Sequence, residues 1–102
     1  MIEVIREAGK AVIRPTGENV VASTAPAIRS QMRAAMAEGV REIVVDLGSV
    51  RTVDSAGIGL LIAAHNSLHK AGGRLTVVHA NKDVLDLFRL MRIHQHFSVS
   101  GE

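Results

Sequence analysis

The residues best placed for chemistry lie between Val44 and Leu61, in the run VVDLGSVRTVDSAGIGLL. A β-branched segment, Ile43-Val44-Val45, reads as a buried strand that ends at Asp46. A loop follows, and Ser55 falls at the opening of a helix-periodic segment. Backbone N–H groups in a first helical turn lack intrahelical acceptors, and the helix dipole is positive at that end. An anion beside Ser55 would gain about 0.3–1 kcal/mol there. A phosphate ester on its hydroxyl would carry about −1.5 to −2 charges into that field. Asp54 is its neighbour and would oppose the new charge, so modification would change the local field strongly. The simpler reading has Ser55 as a helix cap, a common task for serine, with Asp54 a loop residue. The local pattern accommodates both.

The helix after Ser55 has two contrasting sides. On a helical wheel Ile58, Leu61, Ala64, His65 and Leu68 cluster together and should face the core. Ala56, Gly59, Ala63, Asn66 and Lys70 lie opposite. Small side chains there would make a low surface beside Ser55, open to close approach by another protein. Gly59 costs the helix about 1 kcal/mol relative to alanine. Either a docking surface or tight packing within the fold would account for it.

Other chemistries find little support. His65 and His69 have the i, i+4 spacing of a zinc pair, but Asn66, Ser67 and Leu68 lie between them, without the metalloprotease glutamate. His94-Gln95-His96 would bind metal only adventitiously, so no metal site is expected. Val53-Asp54-Ser55-Ala56-Gly57 lacks the first glycine of a nucleophile elbow. No P-loop or dinucleotide fingerprint is present, so no cofactor is expected and the chain reads as a non-enzyme.

The elements that must position Ser55 follow from periodicity and turn residues. Strands are expected at Ile2–Ile5 and Lys10–Arg14, around a turn at Ala8-Gly9 and ended by Pro15 and Gly17. A helix should begin near Ser23-Thr24, either of which can cap it, with Pro26 in its first turn. Ile28, Met32, Ala35 and Met36 give it an apolar stripe, and Gly39 a C-terminal stop. Ile43–Val45 should be buried on both faces, as in a sheet with parallel pairs. The second helix is expected from Asp54-Ser55 to about Ala71, before Gly72-Gly73, and the next strand over Leu75–Val78. Asn81 should cap a third helix with the stripe Val84, Leu87, Phe88 and Met91. Phe97–Val99 ends the pattern. The order is ββαβαβαβ, an α/β class with helices on a mixed sheet, in one domain over residues 1–102.

Composition agrees with such a domain. The chain has 102 residues, no cysteine, a formal charge of +2, and only two aromatic side chains, Phe88 and Phe97. The core must be aliphatic, and disulfides and thiolate metal sites are excluded. Basic residues are scattered rather than striped, which argues against nucleic-acid binding. The Met1–Val4 start does not resemble a signal peptide, and the uncharged Ala56–Ala64 run is too short to span a bilayer, so a cytoplasmic protein without membrane insertion is expected.

Three blocks together carry a family likeness: Val-Asp-Leu-Gly-Ser-Val at 45–50, Val-Asp-Ser-Ala-Gly-Ile-Gly at 53–59, and Ala-Gly-Gly-Arg-Leu at 71–75. The sequence from about Val12 to Val99 resembles STAS domains, specifically those of the anti-sigma-factor antagonists. Gly17-Glu18 followed by Ser23-Thr24-Ala25-Pro26 is similar to the family's entry into its first helix. The resemblance implies a phosphoacceptor at Ser55 and a partner-binding surface at Asp54, Ala56, Gly57, Gly59 and Ala63. It implies as partners an anti-sigma factor that is also a GHKL-type serine kinase, and a metal-dependent serine phosphatase. The segment departs from the family where an aspartate often follows the Gly-Glu pair, since Asn19-Val20-Val21 stands here. The ending at Glu102 leaves no room for the helix that many relatives carry after the last strand. A constitutive STAS subunit of a transporter or lipid-transport complex would use the same helix without a phosphate cycle.

Overall fold

The computed structural model describes residues 2–102. Strands β1 (Ile2–Glu7) and β2 (Lys10–Pro15) form a hairpin, and Gly9 supplies the positive φ of its turn, 72°. After β3 (Asn19–Val20), helix α1 spans Ala25–Ala37 and β4 Glu42–Asp46. A second short strand, β5 (Thr52–Val53), precedes α2 (Ser55–Lys70), β6 (Arg74–Val78), α3 (Lys82–Leu90), a 3-10 turn at Ile93–Gln95, and β7 (Ser98–Val99).

The main sheet has the order β1-β2-β4-β6-β7. Only the β1–β2 hairpin is antiparallel; the other three pairings are parallel. This is the mixed α/β sheet expected from the sequence. Alternate strand residues Ala11, Ile13, Ile43, Val45, Leu75 and Val77 join one buried cluster with Ile28, Met32 and Ala35 of α1, Ile58, Leu60, Leu61 and Leu68 of α2, and Val84 and Phe88 of α3. The helices therefore cover one face of the sheet. Val44, expected to be buried on both sides, points to the other face and is only half-buried. Three connections of the same hand, each leading to the next parallel strand, put every helix on one side.

Several local expectations are corrected. Thr24 sits at the N-cap position of α1 without capping it. Its hydroxyl instead accepts from Val21 N at 2.9 Å and faces the carbonyls of Asn19 and Val21, tying the preceding turn together. The third helix ends at Leu90, so Met91 lies beyond it and is 50% exposed. Strands β3 and β5 were not expected. They form a separate parallel ladder, Asn19 to Thr52 and Val20 to Val53. This ladder decides how Ser55 is presented.

Candidate functional site

Ser55 is the first residue of α2 and is exposed. Asp54, not Ser55, is the N-cap. Its Oδ1 accepts from Ala56 N at 2.9 Å and Gly57 N at 3.1 Å, and its carbonyl accepts from Ile58 N. The capping role weighed for the serine is thus filled by its neighbour. The Ser55 hydroxyl has no hydrogen-bond partner among the described residues. The helix start, by contrast, is held in place. Asp54 N donates to Val20 O at 3.2 Å, and Arg51 N and Thr52 N donate to Glu18 O. Thr52 Oγ1 donates to Asn19 Oδ1, and Asn81 Nδ2 donates to the carbonyls of Val50 and Arg51. Asn19 thus ties the segment before α1 to the segment before α2.

The other hydroxyls nearby differ in availability. Those of Thr24 and Thr52 are engaged in the bonds just described. Ser23 and Ser49 are exposed, but neither opens a helix.

Gly57 and Gly59 play opposite parts. A Cβ on Gly57 would lie 2.4 Å from Val20 O and 2.8 Å from Val53 Cγ1. Gly57 is buried, and it lets α2 lie against the β3–β5 ladder. It therefore does not present itself to a partner, which corrects its assignment to the binding surface. A Cβ on Gly59 would meet nothing within 4 Å. Packing does not require that glycine. Asp54, Ser55, Gly59 and Ala63 are exposed and Ala56 is half-buried, so these five form a continuous low strip along α2. Asn66 and Lys70 extend it. Beside Ala63, a shallow groove between α1 and α2 is lined by Arg29, Arg33 and Met36. The nearness of these arginines to α2 is a tertiary fact.

The buried side of α2 is broader than the wheel indicates. Ile58, Leu61, Ala64 and Leu68 are buried as expected, and Gly57 and Leu60 join them. His65 is half-buried, and its Nδ1 is shut off from solvent without a partner. Its ring lies 5.7 Å from His69, 6.2 Å from His96 and 5.6 Å from Phe97. Desolvation, helped by repulsion from His69 and His96, pushes its pKa below the ordinary 6.5. Among the described residues no group of three or more side chains is arranged to hold a metal ion.

A polar cluster at the carboxyl ends of the strands escaped the sequence reading. Asp46 is 4% exposed. It accepts from Arg14 Nε and Nη2 at 3.1 and 2.9 Å and from Gly48 N at 2.9 Å, and it lies 2.9 Å from His79 Nδ1. Burial pushes the Asp46 carboxyl up, but the bonds from His79, Gly48 and Arg14 outweigh it and hold the group below its ordinary 3.8. These partners make it a structural anchor between β2, β4 and the end of β6.

A one-sided α/β layer thus presents an exposed serine at the start of its second helix. Residues 5–99 match the family described as Mlab, STAS domain, and the chain belongs to that family. It is 28% identical over 102 residues to an anti-sigma F factor antagonist of Paenibacillus polymyxa, covering 93% of this chain and 86% of the relative. The fold is similar to a crystal structure of an anti-sigma factor antagonist from Mycobacterium paratuberculosis, with a TM-score of 0.86, 24% identity, and coverage of 100% of this chain and 86% of that one. It is similar also to the Bacillus cell-fate determinant SpoIIAA in its phosphorylated form, with a TM-score of 0.78, 16% identity, and coverage of 100% and 92%. No helix among the described residues is long and apolar enough to cross a membrane.

Proposed function

We propose that this chain is an anti-sigma-factor antagonist switched by a phosphate on Ser55. In the unmodified state Asp54, Ser55, Ala56, Gly59 and Ala63 dock on an anti-sigma factor that is also a GHKL-type serine kinase, and the captured sigma factor is released. The kinase transfers the γ-phosphoryl group of ATP to Ser55 Oγ, whose proton leaves to the kinase, with ADP as the other product. A metal-dependent serine phosphatase hydrolyses the ester and restores the docking state. The cycle places the chain in the cytoplasm, where ATP and sigma factors are found.

The observation that carries this reading is the division of labour at the helix start. Asp54 caps, so the Ser55 hydroxyl is free, and Gly59 one turn on keeps its surroundings open. The Asp54 carboxylate already occupies the Ala56 and Gly57 N–H groups. A phosphate on Ser55 would meet a like charge and few unoccupied donors, and would remain as exposed charge on the docking strip. Burying that charge against a partner carries a desolvation cost of several kcal/mol. The relative named as an antagonist and the phosphorylated form of a structural neighbour support the same reading.

Incubation with a GHKL-type serine kinase of the same organism and ATP should add one phosphate, and fragment mass spectrometry should place it on Ser55. Ser55→Ala should block labelling and still bind the kinase. Phosphate on Ser23 or Ser49, or normal labelling of Ser55→Ala, would refute the assignment. A chain that no such kinase labels, and whose Ser55→Asp variant binds like the wild type, would instead be a constitutive STAS subunit.

A further inference from the structure

Parallel strands are usually covered on both faces, yet here the helices cover only one. Strand register sets three rows on the uncovered face. The first is Glu7, Lys10, Glu42 and Arg74, alternating negative and positive from β1 to β6. The second is Ile5, Val12, Val44 and Thr76, with Ile5 51% exposed and the others half-buried. The third holds Glu3 opposite Arg14, Arg14 bonded to Asp46, and Asp46 opposite Val78.

We propose that this face is the interface of an isologous dimer with a second copy of the chain. Charge complementarity selects a second copy as the occupant. Place a two-fold axis in the face, running along the strands between β2 and β4. Strand β2 then lies over β4 of the second copy, and β1 over its β6. Lys10 meets Glu42 of the second copy, and Glu7 meets its Arg74. Beside this charged row Val12 meets Val44, and Ile5 meets Thr76. A row that alternates in sign about the β2–β4 boundary is complementary to itself under this rotation. An axis across the strands would instead set Lys10 over Arg14 and Glu7 over Glu3, and is excluded by repulsion.

The aligned packing of two sheets at about −30° and about 10 Å suits this arrangement, and the pairs beside the axis stay in register best. The pair Glu42–Arg74 within each chain becomes a shared network. Four strands about 4.8 Å apart and five residues of about 3.3 Å give a face of only about 19 by 17 Å. That is small for a stable interface, so the dimer is weak and reversible, with a Kd on the order of 100 μM. The strip around Ser55 belongs to the helical side of the molecule and stays free, so this inference does not rest on the proposed function.

Sedimentation velocity from about 10 μM to about 1 mM brackets that Kd. The mass should rise from 10.9 kDa towards twice that value. Lys10→Glu and Glu42→Lys, each folded by circular dichroism, should each weaken association at least tenfold. The double variant carries the row −, −, +, +, which is again self-complementary, and should recover association. A monomer at every concentration would overturn the proposal. So would a dimer indifferent to the single reversals, or a double variant that stays monomeric while the wild type associates.

Discussion

Gly57 and Gly59 are two residues apart on the same helix, yet substitution should move stability in opposite directions. Gly57→Ala forces a methyl against Val20 O and Val53 Cγ1. It should cost about 1–3 kcal/mol by urea denaturation, the usual penalty of overpacking. Gly59→Ala enters open space in a helix and should gain about 0.5–1 kcal/mol. Equal losses in both variants would show that the helix start does not rest on the β3–β5 ladder as described. The sequence showed both glycines, but which faced the fold and which faced outwards depends on a ladder of two two-residue strands. Strands that short carry no periodicity to read. Asp46 was likewise visible only as the end of a strand, because Arg14 and His79 reach it from β2 and the end of β6. Its folded pKa lies below 3.8, so its contribution to stability is complete above that value and is lost as pH falls through the lower folded value. Asp46→Asn should therefore reduce stability at neutral pH and flatten the acid limb of the curve. An unchanged acid limb would mean that the carboxylate gains nothing from its partners.

At the scale of elements, long amphipathic patterns were read well and their ends less so. The sheet strands and three helices follow from apolar spacing, because a stripe of Ile28, Met32 and Ala35 or of Val84 and Phe88 has one way to be buried. Met91 misled, since it continues the spacing one residue past the point where α3 stops. Leu60 was missed because α2 packs on both the sheet and α1, and a wheel assumes one neighbour. The same helix meets the chain's last turn through His65, His69, His96 and Phe97. His65 has a folded pKa below 6.5, so on acidification the unfolded chain binds its proton first and stability must fall. The urea midpoint should drop between about pH 7.5 and pH 5.5, and His65→Leu should reduce that drop. A His65→Leu curve parallel to that of the wild type would assign the acid sensitivity elsewhere.

On the scale of the whole molecule, the helices gather on one side of the sheet. They raise the start of α2 on the β3–β5 ladder and leave Ser55 and Gly59 facing outwards. The family likeness and the class of fold were legible in the strand–loop–helix signature, because it is contiguous in sequence. The reason Ser55 is free was not, since it depends on Asp54 taking the cap. The central claim is that this outward strip binds a partner and that charge there prevents binding. Isothermal titration calorimetry against the anti-sigma kinase of the same organism tests it most directly, using unmodified protein, Ser55-phosphorylated protein and Gly59→Arg. The account predicts tight binding for the first and at least a tenfold loss for each of the other two, with folding unchanged by circular dichroism. Equal affinity in all three would contradict it.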